Sequence, residues 1–268
     1  MIYAEVIGDP ISHSKSPAIH GFWLKALGIE AEYRATHVKL EDLATYFESR
    51  KADSDWRGCN ITIPHKQAAL DHVADPGGVR SSIGAINTVF RGDAGTFIGT
   101  NTDAGGFYAP IADLDLTGKQ VVVIGAGGAA RAVLFALSKL SVGPITILNR
   151  NVLTGAALLS SFGLKGQALP LGAALPAAAL LVNTSALGMV GQPALEIDLA
   201  PLPEDAVVYD VVYAPLETPL LQAATERGLE TIDGLEMLIG QAALAFELLF
   251  GAEPPRDRDE ELRELLIG

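Results

Sequence analysis

The chain has 268 residues, of which 49% are hydrophobic, and its formal net charge at pH 7 is −13. A chain of this length can bury a full core and is expected to split into two lobes, and its hydrophobic content argues against disorder. The acidic balance argues against binding to nucleic acid or to an anionic membrane surface, although it leaves room for a local pocket that takes an anionic small ligand.

Cysteine content and the N-terminal residues bear on the cellular compartment. The single cysteine, Cys59, excludes an internal disulfide. Because disulfides are typical of secreted proteins, the cysteine content gives no indication of secretion. The first residues show neither the basic nor the apolar region of a signal peptide, and no apolar stretch is long enough for a membrane span. We therefore expect a cytoplasmic protein.

The first hundred residues predict a mixed lobe of strands and helices. An apolar run over 3–8 predicts a strand that ends in a Gly-Asp-Pro turn, and Ser16 with Pro17 indicates the start of a helix over 17–27, with Ser16 as its N-cap. Further predicted elements are strands at 32–38 and 58–63, a helix at 40–51, and a hairpin formed by 85–91 and 96–99.

From residue 119 the pattern changes to alternating strands and helices. The run over 120–124 is almost continuously apolar, as in a parallel strand that is covered on both faces. This β-α-β alternation predicts a doubly wound sheet. The predicted elements are strands at 120–124, 144–148, 180–183 and 206–211, helices at 129–140, 235–250 and 259–267, and an alanine-rich loop with some helix at 173–179.

A glycine-rich loop follows the strand at 120–124. Its sequence, Gly-Ala-Gly-Gly-Ala-Ala from Gly125 to Ala130, lies between a predicted strand and a predicted helix, which is the context of a dinucleotide-binding loop. Gly125 permits the tight turn, Gly127 lets the backbone approach a pyrophosphate, and Ala130 keeps helix and strand close. The free amides at the helix start would then face the phosphates. The alternative is a glycine turn with a purely structural role.

The residues after the next strand bear on the choice of cofactor. An acidic residue there would bind the ribose hydroxyls of NAD, but this chain has Asn149, Arg150 and Asn151. Arg150 can pair with a 2′-phosphate, and this favours NADP. None of the three residues after Asn151 is basic, so the preference for NADP over NAD would depend on Arg150 alone. The alternative is an ordinary solvated arginine.

Two polar clusters in the first lobe predict a site for a hydroxylated substrate. Ser14 and Ser16 offer hydroxyls that suit a carboxylate or a polyol, although Ser16 is as well explained by helix capping. Asn60 and Thr62 are two residues apart on a predicted strand and should face the same way, where a ligand could satisfy them. Asn87 adds another amide.

Lys66 and Asp103 are the charged residues that close the clusters at 60–66 and 99–103. A lysine beside a carboxylate can donate and accept the proton during reduction of a carbonyl group. Taken singly, Lys66 is better explained as an ordinary surface lysine and Asp103 as an ordinary turn aspartate. The two clusters together favour a catalytic role for both. The five histidines show no metal-ligand spacing.

These motifs together resemble the shikimate dehydrogenase family almost from end to end. The resemblance implies an α/β protein in which a substrate domain, 1–103 completed by 237–268, accompanies a Rossmann-type, doubly wound domain over 104–236, with a C-terminal helix that returns to the substrate domain. The matching segments are 8–17, 58–66, 84–88, 99–106, 125–133, 183–189, 210–221 and 233–238, with Gln241.

The resemblance also implies a reaction, which is reduction of 3-dehydroshikimate to shikimate by NADPH, without a metal. Lys66 and Asp103 match the family's acid–base pair. The residues that match its substrate contacts are Ser14, Ser16, Asn60, Thr62, Asn87, Tyr213 and Gln241. The residues that match its cofactor contacts are Gly125, Ala126, Gly127, Gly128, Ala129, Asn149, Arg150, Val211 and Gly234.

Two departures and two alternatives accompany the resemblance. Asn151 stands where the family commonly has threonine, and no second basic residue follows it. Residues 75–80 interrupt what is usually a helix, so we expect a local change in structure there.

One alternative function is that of an enzyme that also oxidises quinate, often with NAD. The other is a non-catalytic metabolite sensor, against which Lys66, Asp103 and the glycine loop argue. Monomer and homodimer both occur in the family, and the sequence leaves this choice open.

Overall fold

A computed structural model describes residues 1–267, and in it the chain divides into two units. The first unit holds Met1–Thr102 together with the residues from Ile239 onward, and the second unit is Asp103–Leu238. These boundaries fall one and two residues from the predicted domain boundaries, and the difference places Asp103 in the second unit.

The first unit contains a five-stranded mixed sheet. In chain order its elements are β1 (Tyr3–Gly8), α1 (Ser16–Leu27), β2 (Glu32–His37), α2 (Leu43–Lys51), β3 (Trp56–Ile61), α3 (Val79–Ser82), β4 (Thr88–Arg91) and β5 (Phe97–Thr100). The strand order is β2-β1-β3-β4-β5. The first three strands are parallel, and β4 and β5 form the predicted antiparallel hairpin.

The second unit contains a six-stranded parallel sheet. Its elements are α4 (Asp103–Tyr108), β6 (Val121–Ile124), α5 (Gly128–Lys139), β7 (Ile145–Asn149), α6 (Val152–Ser161), β8 (Gly166–Pro170), β9 (Leu180–Asn183), β10 (Val207–Asp210), α7 (Pro219–Glu226) and β11 (Glu230–Ile232). The strand order is β11-β10-β9-β6-β7-β8. All four residues of β6 are fully buried, as the continuous apolar run predicts, and the predicted doubly wound sheet is confirmed.

Two C-terminal helices complete the chain. Helix α8 (Gly234–Phe250) begins in the second unit, and its residues from Ile239 onward belong to the first, together with α9 (Asp259–Ile267). Lys15, which precedes α1, donates from Nζ to the carbonyl of Leu266 at 2.5 Å and so connects the end of α9 to the start of α1. No helix within residues 1–267 has both the length and the apolar character to cross a membrane.

A buried carboxylate lies on one face of the first sheet. Glu5 in β1 is 1% exposed and accepts hydrogen bonds from Arg50 Nε at 2.7 Å, Tyr46 Oη at 2.8 Å and Trp56 Nε1 at 2.9 Å. A buried charge is tolerated when it is paired and hydrogen-bonded in this way. The register places Glu5 beside Cys59, so Asn60, the next residue of β3, faces the opposite side of the sheet.

Local structure differs from the prediction at the start of α1 and in the alanine-rich stretch. Helix α1 begins at Ser16, with Lys15 as N-cap, and the Oγ of Ser14 accepts from the Ser16 amide at 3.3 Å. The prediction that Ser16 is the N-cap is therefore wrong. Residues 173–179 contain no helix, and Pro176, which has no amide hydrogen, lies in the middle of the stretch.

Residues 75–80, where the sequence departs from the family pattern, form a capped turn. The two carboxylate oxygens of Asp75 accept from the amides of Val79 and Arg80 at 2.7 and 2.8 Å. These bonds start the short helix α3, since first-turn amides have no partner within the helix. The expected local change is therefore a short helix that starts anew after residues 75–78.

Candidate active site

A buried network of amides and hydroxyls lies where β3 ends and β4 begins. Asn60, which pairs with Thr88 across the two strands, donates from Nδ2 to Thr88 Oγ1 at 2.9 Å and to the backbone carbonyl of Asn87 at 3.3 Å. Asn87 donates to Thr102 Oγ1 at 2.8 Å and to Gln241 Oε1 at 3.1 Å. The structure thus brings together three predicted substrate contacts, Asn60, Asn87 and Gln241.

Tyr33 of β2 belongs to this network, since its Oη lies 2.5 Å from Asn60 Oδ1. The two predicted serine contacts lie at the start of α1, where Ser14 is half-buried and Ser16 is 6% exposed. The sequence does not single out Tyr33, because one aromatic residue in a strand is typical of an ordinary core position.

Thr62 lies directly after the end of β3, whereas the sequence predicts it within the strand. Its amide still donates to the Ile7 carbonyl at 2.9 Å, so the backbone stays beside β1 for one residue more. A Cβ atom at Gly8 would lie 2.5 Å from the Thr62 methyl group. The absence of a side chain at Gly8 therefore allows Thr62 its position beside the start of the loop that carries Ser14.

Lys66 lies in the turn after β3, and backbone and side-chain bonds on both sides fix that turn. The Lys66 carbonyl accepts from the Ile86 amide at 2.8 Å. The preceding residue, His65, is fully buried, and its Nε2 donates to the Val38 carbonyl at 2.6 Å. The nitrogen beside a carbonyl must carry the proton, so the tautomer follows from this contact.

Asp103 and Tyr213 belong to the second unit. Asp103 is the first residue of α4 and is 5% exposed, and a carboxylate is favoured in the first turn of a helix. Tyr213 follows β10 and is half-buried, and burial raises the pKa of its hydroxyl. Each unit therefore supplies one member of the predicted acid–base pair, Lys66 from the first and Asp103 from the second.

The glycine loop lies at the switch point of the parallel sheet. From β6 the chain proceeds to β7 and β8 on one side, and β9, β10 and β11 follow on the other. Ligands of such sheets bind outside the carboxyl ends of the strands at this point. The loop leads from β6 into α5, and the N-cap of α5, Gly127, makes no side-chain cap. The first-turn amides are then available to a pyrophosphate.

The backbone of the glycine loop is open to a ligand at Gly127 and closely packed at Gly125. Gly125 has a φ of +102°, which favours glycine, and a Cβ there would lie 2.9 Å from Thr184 Oγ1. Gly127 is exposed, and a Cβ there would meet no atom within 4 Å. Ala126, Gly128 and Ala129 are half-buried around it. The backbone at Gly127 therefore borders open space that a pyrophosphate can enter.

Two further predicted cofactor contacts, Val211 and Gly234, follow β10 and β11 respectively. The Val211 amide donates to the Asn183 carbonyl at 3.0 Å, and Gly234, the first residue of α8, has no room for a side chain because its Cβ would lie 2.5 Å from the Val212 carbonyl. Asp210, fully buried at the end of β10, accepts from Asn183 Nδ2 at 2.9 Å. Burial raises the pKa of Asp210 to about 6. These contacts hold the ends of β9 and β10 together beside the glycine loop.

Asn149 and Arg150 lie at the carboxyl end of β7, next to β6. Asn149 Nδ2 donates to the Asn151 carbonyl at 2.9 Å, and Asn151 is the N-cap of α6, since its Oδ1 accepts from the Thr154 amide at 3.3 Å. Arg150 is exposed and, within the described part of the chain, makes no hydrogen bond or ion pair with protein. Its guanidinium is thus available to an anionic group beside the glycine loop.

A doubly wound unit with a glycine loop at its switch point, joined to a unit with a buried polar network, defines a dinucleotide-dependent oxidoreductase of two α/β domains. Residues 6–89 match the model of the shikimate dehydrogenase substrate binding domain, and residues 234–262 match that of the shikimate 5'-dehydrogenase C-terminal domain. The shikimate dehydrogenase (NADP(+)) of Sphingopyxis alaskensis is 63% identical over 266 residues, which cover 99% of this chain and 97% of that protein. The chain belongs to the shikimate dehydrogenase family, as its motifs predict.

Solved structures agree with this assignment. The shikimate 5-dehydrogenase of Thermus thermophilus, in complex with NADP(H) and shikimate, is 38% identical and superposes with a TM-score of 0.87 over 99% of each chain. The quinate dehydrogenase of Corynebacterium glutamicum, in complex with NAD, is 32% identical with a TM-score of 0.87, covering 98% of this chain and 99% of that chain. The predicted fold is confirmed, and fold similarity alone does not separate the two substrates.

Proposed function

We propose that this protein catalyses the reversible, NADPH-dependent reduction of 3-dehydroshikimate to shikimate in the biosynthesis of aromatic amino acids. The observation that carries the proposal is the buried network of Asn60, Asn87 and Gln241, in a chain that belongs to the shikimate dehydrogenase family. Amide and hydroxyl groups held in fixed positions suit a substrate that carries several hydroxyl groups, since each unmet hydrogen bond discriminates against analogues.

In this proposal Lys66 and Asp103 carry the proton. Lys66 donates a proton to the substrate oxygen during reduction and accepts it during oxidation, and Asp103 orients the substrate hydroxyl and exchanges the proton with Lys66. When bound, NADPH supplies the hydride. The proposed substrate contacts are Ser14, Ser16, Asn60, Thr62, Asn87, Tyr213 and Gln241.

The cofactor would be held by the second unit. The first-turn amides of α5 would face the pyrophosphate, with the helix dipole favouring its negative charge. Arg150 would pair with the 2′-phosphate, where no carboxylate opposes it. The proposed contacts are Gly125, Ala126, Gly127, Gly128, Ala129, Asn149, Arg150, Val211 and Gly234.

The proposal extends to partners and location. The net charge of −13 supports a protein that binds neither nucleic acid nor anionic membranes. Its substrate and cofactor are both small molecules, so cytoplasmic action needs no further partner. Both a monomer and a homodimer are compatible with the proposed site.

Oxidation of quinate with NAD is the second candidate function. It is favoured by the residues after Arg150, where Val152, Leu153 and Thr154 add no second cation for a 2′-phosphate. Initial rates of shikimate and quinate oxidation, each with NADP and with NAD, test both candidates on one sample. We expect activity with shikimate and NADP to exceed every other pairing. Comparable rates with quinate or with NAD would support the second candidate function. The absence of activity with every pair of substrate and cofactor would support a non-catalytic metabolite sensor.

Arg150→Ala is expected to raise the KM for NADP by about 10- to 100-fold, because a charge-assisted bond to a phosphate is lost. The KM for NAD, which lacks the 2′-phosphate, should change by less than about twofold. Arg150→Lys keeps the charge without the planar fork and should fall between the two. Lys165→Ala is the control, since Lys165 is exposed and precedes β8 at the amino edge of the parallel sheet. Equal effects of Arg150→Ala on both cofactors would remove Arg150 from the phosphate site.

A further inference from the structure

Tyr33 is the one residue of the edge strand β2 whose side chain is buried. It pairs in register with Ala4 of β1, and β1 separates β2 from β3. Because Ala4 is small, the Tyr33 ring can pass over β1 and bring its hydroxyl to 2.5 Å from Asn60 Oδ1 in β3. An edge strand thus delivers one hydroxyl to the centre of the polar network.

A neighbouring histidine holds the Tyr33 ring in this position. The imidazole of His20, in α1, stacks on Tyr33 with ring centroids 3.9 Å apart and an interplanar angle of 1°. His20 is fully buried, and Phe246 of α8 stacks on it at 5.8 Å. The ring therefore has little freedom, and its hydroxyl stays directed at Asn60.

The donors and acceptors in this part of the network have only one consistent arrangement. Asn60 Nδ2 faces the backbone carbonyl of Asn87, which can only accept, so the amide group of Asn60 cannot be turned round. Its Oδ1 must then face Tyr33, and the Tyr33 hydroxyl must donate to it.

The same arrangement limits what Asn60 can offer a ligand. Both Nδ2 hydrogens are used, one on the Asn87 carbonyl and one on Thr88 Oγ1 at 2.9 Å. Oδ1 has a second lone pair, because Tyr33 occupies only one. Asn60 can therefore accept a hydrogen bond from a ligand hydroxyl, and it can donate none.

We propose that Tyr33 is a positioning residue that fixes Asn60 as an acceptor for a substrate hydroxyl. This inference rests on the proposed function, which gives Asn60 its role as a substrate contact. It adds a residue outside every sequence motif and assigns the direction of one substrate hydrogen bond. Tyr33 itself does not touch the reacting atoms in this proposal, so it should act on binding more than on turnover.

Tyr33→Phe removes the hydroxyl and keeps the ring that stacks on His20. We expect the KM for shikimate to rise about 3- to 10-fold, with kcat and the KM for NADP within about twofold of the wild type. Tyr46→Phe is the matched control, because Tyr46 is also a buried tyrosine of the first unit, and its hydroxyl donates to Glu5 at 2.8 Å. It should lower thermal stability and leave the KM for shikimate unchanged. An unchanged KM in Tyr33→Phe would overturn the inference.

A double variant separates positioning from general destabilisation. If Tyr33 acts through Asn60, Tyr33→Phe should add little to the KM of Asn60→Ala, because the group it positions is already gone. An undiminished effect in the Asn60→Ala background would overturn the inference. A raised KM in Asn60→Ala with none in Tyr33→Phe would also overturn it while leaving the proposed function standing. A normal KM in Asn60→Ala would overturn the proposed role of Asn60, and the inference with it.

Discussion

Lys66→Ala is expected to lower kcat for shikimate oxidation by about 10²- to 10⁴-fold, which is the usual contribution of a positioned general acid or base. The dissociation constant for NADPH should stay near that of the wild type. Lys66 lies in the first unit, whereas the glycine loop and Arg150 lie in the second. Steady-state kinetics and a fluorescence titration with NADPH measure the two quantities on the same sample.

The second member of the proposed pair makes this test sharper. Asp103→Asn should also reduce kcat, and the double variant should be only slightly slower than Lys66→Ala alone, since residues that act as a unit are strongly non-additive. Lys51→Ala is the control, because Lys51 is an exposed lysine of the same unit that pairs with Glu48 at 2.6 Å. A near-normal kcat in Lys66→Ala would show that Lys66 is not part of the mechanism. If the effects of the two single variants on kcat were fully additive in the double variant, Asp103 and Lys66 would act independently.

The central strands of the parallel sheet can be predicted because burial on both faces requires a continuous run of apolar residues. The run 121–124 is entirely apolar, and the predicted strands at 120–124, 144–148 and 180–183 agree with β6, β7 and β9 to within a residue at each end. The sequence does not predict β8. Its five residues, Gly166–Pro170, are exposed or half-buried at the edge of the sheet, so no apolar run marks them.

Two helices outside the predicted set carry capping signals. Asn151 caps α6, although in the sequence it stands out only as part of the cofactor pattern after β7. Thr218 caps α7 and precedes Pro219, a combination that indicates a helix start. Because both capping signals are local, the starts of α6 and α7 can be predicted from the sequence.

The partners of the site residues cannot be predicted in the same way. Motifs indicate Asn60, Asn87 and Gln241, but the bond between Asn87 and Gln241 joins residues 154 positions apart. Such a pairing depends on the packing of α8 in the first unit, which no local pattern encodes. Tyr33 shows the limit most clearly, since its role depends on strand order and on the small Ala4 beside it.

The stability of the first unit is expected to fall steeply in acid because of His20. Within residues 1–267 both of its ring nitrogens are buried without a hydrogen-bond partner, and burial lowers its pKa from 6.5 to about 3. Between these values the unfolded chain binds a proton that the folded chain excludes, so the free energy of unfolding rises with pH. The contribution is fully present above pH 6.5 and is lost as the pH falls to 3, a change of about 5 kcal/mol.

The comparison of His20→Phe with the wild type isolates this contribution. The variant keeps an aromatic ring against Tyr33 and has nothing to protonate, so its free energy of unfolding relative to the wild type should increase by up to about 1.4 kcal/mol for each unit that the pH falls below 6.5. Asp210 acts with the opposite sign, since its pKa is raised to about 6 in the folded state. Both proteins carry Asp210, so its contribution cancels in the difference.

Denaturant unfolding followed by tryptophan fluorescence reports on the correct unit, because both tryptophans, Trp23 and Trp56, lie in the first one. Trp23→Phe is the matched control: Trp23 contacts His20 in the same cluster, with ring centroids 5.7 Å apart, and has no group that titrates in this range. It should lower stability by an amount that does not depend on pH between about 4 and 8. A His20→Phe difference that is equally flat would mean that His20 is protonated in the folded protein as readily as in the unfolded chain.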